Sequence, residues 1–139
     1  MRKARFVLSI AAAAAMLAGC ATLSKPRDTI ARVNPASVSA APTQWDGRQV
    51  EMVGLLVWDN AALYQDYGTY CRGGERTAIA VDWQKWPGVT RADNRRHVVV
   101  RGVFRNAPGN AAPGPGPLEP GQVVRFLSAP AKPCPKALP

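Results

Sequence analysis

Three cysteines, one histidine and nine acidic residues are the metal-ligating and carboxylate chemistry of this 139-residue chain. His97 directly precedes an apolar run and has no Cys or Ser partner in a recognisable motif, so it reads as a strand-end histidine. A zinc site needs several Cys and His ligands, and no metal site is expected. Asp59, Asp66 and Asp82 are candidates for convergence in a barrel, as are any three strand-end carboxylates. The chain contains no Gly-x-Ser-x-Gly, no Ser-x-x-Lys and no phosphate loop. No catalytic residue is singled out, and the expectation is a protein that is not an enzyme. Cys20 closes an apolar run from Phe6 to Leu17 behind Arg2, Lys3 and Arg5, the pattern of a secretory signal peptide over residues 1–19. That run is shorter than the roughly 20 residues a bilayer core requires.

Leu17-Ala18-Gly19-Cys20 resembles the lipobox of bacterial lipoproteins. The resemblance implies a diacylglycerol on the Cys20 thiol, cleavage before Cys20 and acylation of the new amine. This covalent lipid is then the only cofactor expected. The next residue is Ala21, not Asp, which in lipoproteins of Gram-negative bacteria implies the outer membrane, facing the periplasm. One acyl chain binds only marginally, whereas two or more hold firmly. With Cys20 so used, Cys71 and Cys134 remain, and an even pair in an oxidising compartment suggests a disulfide. The loop it closes is about 60 residues, for which chain entropy gives roughly 4 kcal/mol.

The formal charge is +9, falling to about +6 without residues 1–19. A basic surface attracts lipopolysaccharide phosphates and anionic headgroups in a salt-dependent way, or serves solubility alone. Nucleic acid is not an expected partner. The candidate ligand-binding set is aromatic and basic: Tyr64, Tyr67, Tyr70 and Trp86 with Arg72, Arg76, Arg95 and Arg96. Rings stack on sugars or bases, and guanidinium groups pair with phosphates. Trp58 and Trp83 continue the apolar faces of their strands and read as core.

Period-two alternation positions these residues. Val50, Met52, Leu56 and Trp58 alternate with Glu51, Val53, Leu55 and Val57, with Gly54 at a bulge or bend. A second short strand centres on Leu63-Tyr64, Gly68–Gly74 reads as a loop, and Thr77–Trp83 as a third strand. The fourth has Val98, Val100 and Phe104 on one face, interrupted by Gly102. Val123–Leu127 is a fifth, with Val124 and Phe126 inward. Ala107–Gly121, rich in Pro and Gly, reads as a long exposed loop.

Val50–Val57, Leu63–Asp66, Ile79–Trp83 and Val98–Val103 together resemble the strand rhythm of small periplasmic OB-fold proteins. The resemblance implies an all-β fold, a five-stranded OB-like Greek-key barrel over residues 45–128. It follows the lipidated Cys and a flexible tether (20–44) and precedes a proline-rich tail (129–139). Residues 37–45 allow one helical turn or a strand lead-in. Pro87-Gly88 leaves room only for a short helical turn around Arg91–Arg95, so a related small barrel stays open. OB folds bind oligomers across strands two and three and the flanking loops. Two functions remain. One is a non-catalytic envelope module that binds a protein partner through the loop and tail. The other is a module for a polyanionic glycan, lipid headgroup or, least expected, nucleic acid, bound through the basic-aromatic face.

Overall fold

A computed structural model describes residues 29–107 and 114–136. The expected signal peptide, Cys20 as the expected lipidation site, part of the proline-rich loop and the last three residues lie outside the described residues. The chain is mostly β. The six strands among the described residues are β1 (Ala31–Val33), β2 (Gln49–Val57), β3 (Ala62–Tyr64), β4 (Ile79–Ala80), β5 (Arg96–Val103) and β6 (Gln122–Phe126). They form one sheet in the order β4-β3-β2-β5-β6. All pairs are antiparallel except β1, which lies parallel to the first half of β2. Three short helices, α1 (Pro35–Ala40), α2 (Pro42–Trp45) and α3 (Tyr67–Cys71), flank the sheet.

The named strands leave the sheet unclosed between β4 and β6. Pro117 makes a single parallel bridge to Ala80, and Leu118 an antiparallel one to Phe104. This corrects the expected exposed loop over its described residues: Leu118 is buried, and its N–H donates to the Ala80 carbonyl at 2.9 Å. Residues 31–44, expected as tether, form β1, α1 and most of α2, with Val38 wholly buried. Asn34 starts α1 because its side-chain oxygen accepts the Ser37 N–H at 2.8 Å. The expected loop at Gly68–Gly74 begins as α3, for the same reason: Asp66 accepts the Thr69 N–H at 2.7 Å.

Alternation in β2 buries both faces. Val50, Met52 and Leu56 join Val98, Val100 and Phe104 in the main core, with Trp83 and Trp86. Leu55 and Val57 face the other way, into a smaller cluster with Ala62, Tyr64 and Ala78 under α3. The β2–β5 register runs without a shift through Gly54 and Gly102, so neither marks a bulge. Both glycines are places of close approach instead. A Cβ on Gly54 would sit 2.5 Å from the Tyr64 carbonyl oxygen, and one on Gly102 2.7 Å from that of Glu119.

The expected third strand shrinks to Ile79–Ala80, because tight 3₁₀ turns at Glu75–Thr77 and Trp83–Lys85 flank it. In β6 the inward residues are Val123 and Phe126, not Val124. The pairing passes from Val99↔Arg125 to Val100↔Val123 and skips Val124, which a β-bulge turns outward.

Arg32, Glu51 and Arg101 are register partners across β1, β2 and β5. The buried Glu51 carboxylate accepts from Arg32 Nε and from Arg101 Nη2, each at 2.8 Å. The Arg101 hydrogen bond outweighs burial and holds the Glu51 carboxyl below its ordinary value of 4.5. A depressed carboxyl pKa stabilises the fold above the unfolded value, and that contribution is lost as pH falls through the folded one. Glu51→Gln should therefore cost about 1–3 kcal/mol at pH 7, read by urea unfolding. The gap to the parent protein should narrow as pH falls below about 4.5. A gap that stays constant with pH would contradict this role.

Candidate functional site

The eight candidate ligand-binding residues do not form one face. Tyr64 is buried beneath α3, its hydroxyl accepting from Asn60 Nδ2 at 2.9 Å and its pKa pushed up by burial. Tyr70 packs edge-on against it, ring centres 5.1 Å apart. Tyr67 packs on the same cluster and donates its hydroxyl to the Pro133 carbonyl at 3.2 Å. Trp86 is core, 5.7 Å from Trp83 between ring centres. Residues i and i+3 eclipse in a 3₁₀ turn, so the turn that begins at Trp83 carries Trp86 to the same side.

Arg95 and Arg96 hold the tail. Arg95 adopts a left-handed backbone, φ +63°, a conformation that costs a non-glycine residue about 1–2 kcal/mol. Its N–H donates to Leu56 O, and its carbonyl accepts from Ala131 N, both at 2.8 Å. Its side-chain Nε donates to Ala131 O, also at 2.8 Å. Arg96 donates to Ser128 O and to Asp93, and its guanidinium lies 4.0 Å over the Phe126 ring. The His97 N–H donates to Ser128 Oγ.

Downstream of these contacts, Cys134 sits at disulfide distance from Cys71, with Cα atoms 5.4 Å apart. The tail is thus a strap on its own domain, tied back at Cys134 as the expected cysteine pairing implies. Only Arg72 and Arg76 of the basic candidates are exposed without an ion pair among the described residues.

The three aspartates do not converge either. Asp59 accepts from Asn94, Asp82 pairs with Lys85, and Asp66 caps α3. The Thr69 backbone N–H is the main reason the Asp66 carboxyl lies below its usual range. On the β3–β4 face, where the OB resemblance implies ligand contacts, lies a cleft of about 360 Å³. Its walls are mostly small and apolar, among them Ala61, Ala80, Val81 and Pro117, joined by Asn60 and Asp82, with no cation among the lining residues.

A different surface stands out instead, one that strand alternation does not signal because it places Val124 inward. Val124 (37% exposed) and Leu127 (47%) are the exposed large hydrophobics of the described residues. Val124 lies in β6, at the end of the sheet order, and Leu127 follows directly after it. No hydrogen bond among the described residues occupies the far edge of β6. Comparison with protein-family models, curated proteins and solved structures finds no match.

Arg96→Ala should lower stability by about 1–3 kcal/mol in urea unfolding, because it removes the tail contact, the Asp93 pair and the Phe126 stack together. Arg91→Ala, an exposed change on the adjoining turn, should stay within about 0.5 kcal/mol. Equal effects of the two would show that Arg96 holds nothing.

Proposed function

We propose that this protein is a lipid-anchored periplasmic module of the outer membrane, not an enzyme, that binds a protein partner of the cell envelope through the free edge of β6. The observation that carries the reading is the coincidence there of an unpaired strand edge with both exposed large hydrophobics. Bulges and charges blunt edge strands against indiscriminate pairing, and β6 has both, at Val124 and Arg125. Exposed valine and leucine side chains do nothing for that protection. They suit a partner segment that adds beside the strand and covers them. The lipobox residues support the anchor at Cys20.

The OB-like reading draws support from connectivity. β2, β3 and β4 follow one another in space, and β5 returns by a long connection to lie beside β2, which is Greek-key order. The bridges from Pro117 to Ala80 and from Leu118 to Phe104 run between β4 and the end of β5, as a closing fifth strand does. The basic-aromatic face loses ground as an alternative, because Tyr64 and Trp86 are core and Arg95 and Arg96 are engaged by the tail.

A photo-crosslinking residue at Val124 or Leu127 in living cells should yield one discrete adduct of a different protein. The same probe at exposed Gln84 should yield none. An adduct at all three positions, none at β6, or one of twice the protein's own mass would overturn the reading.

A further inference from the structure

We infer that Arg72, Lys132 and Lys136, gathered around the Cys71–Cys134 pair, dock the domain on an anionic phospholipid surface. Arg72 adjoins Cys71, and the two lysines lie two residues either side of Cys134. The cysteine Cα atoms are 5.4 Å apart and consecutive Cα atoms about 3.8 Å, so the backbones of all three cations fall within roughly 17 Å of one another. Each is exposed, and none has an ion-pair partner among the described residues.

Several other cations are already engaged. Arg32 and Arg101 share Glu51, while Lys85, Arg96 and Arg105 pair with Asp82, Asp93 and Glu119. Arg48 lies over Trp45. The carboxylates nearest Cys71 in sequence are Asp66 and Glu75. Asp66 is bonded to the α3 N-terminus and also feels the charge of Arg72, and Glu75 forms no ion pair among the described residues. The half-buried rings of Tyr67 and Tyr70 lie on the same helix, and an apolar body with a polar tip suits the headgroup boundary.

Chain length argues for a bilayer over a soluble polyanion. Resting on the lipid-anchor reading, eight residues lie between Cys20 and Thr29. They span at most about 30 Å, so a bilayer surface is always within reach. Anionic headgroups attract each nearby Lys or Arg enough to change partition about fivefold.

The test uses the full chain as isolated from cells, in phosphatidylcholine vesicles with or without roughly one-third phosphatidylglycerol. Amine labelling at Lys132, Lys136 and Lys85 is read by mass spectrometry. Labelling of Lys132 and Lys136 should fall about fivefold with the anionic lipid and recover in high salt, while Lys85 stays unchanged. Equal labelling of Lys132 and Lys136 in the two vesicles, or equal protection of Lys85, would overturn the inference. Failure to attach to phosphatidylcholine alone would instead count against the lipid anchor, and the anionic vesicles would still decide the docking face.

Discussion

The Cys71–Cys134 pair fixes the last described stretch of the chain against helix α3, and the surfaces left free follow from that attachment. Closing a loop across a sequence separation of 63 residues removes freedom mainly from the unfolded chain, worth roughly 4 kcal/mol in the entropic account. For a small domain whose net stability is about 5–15 kcal/mol, that is a large share. Once the tail is fixed, Arg95 and Arg96 are drawn into holding it. Cations that read as ligand contacts along the chain thus become internal fastenings. The lysines flanking Cys134 are carried to Arg72 by the same pair.

The sheet itself depends on β2, which pairs with β1, β3 and β5. Its outward residues divide between two environments. Leu55 and Val57 lie under α3 in the second cluster, while Glu51 links Arg32 and Arg101 across neighbouring strands. That ion row lets charged residues occupy the middle of the sheet, since each Glu51 oxygen has a cationic donor. At the other end of the strand order, β6 has a neighbour on one side only. The edge of β6 is thus left open, while the segment that follows it is fastened at Arg95, Arg96 and Cys71.

Much of the sheet was legible because alternation is a local property. Val50–Val57 and Val98–Phe104 declare their inward faces without reference to anything else, and the inward residues named there lie in the core. What was not legible depends on contacts between distant segments or on a different period. Trp86 looks like a loop residue until a 3₁₀ turn aligns it with Trp83. Val124 looks inward until the pairing with β5 skips it, and no single strand encodes its partner's register. β1 offers only Ala31 and Val33 as apolar residues, too few to signal a strand before β2 accepts it. The roles of Arg95 and Arg96 depend on a tail more than thirty residues away, at Ala131 and Ser128.

The most direct test of the fastened tail is native-state hydrogen exchange at single residues, before and after reduction of the cysteine pair. In the oxidised protein the Ala131 amide, which donates to the Arg95 carbonyl at 2.8 Å, should be protected. Reduction should abolish that protection while the β2–β5 amides remain slow to exchange. An Ala131 amide that exchanges freely before reduction, or stays protected after it, would contradict the account.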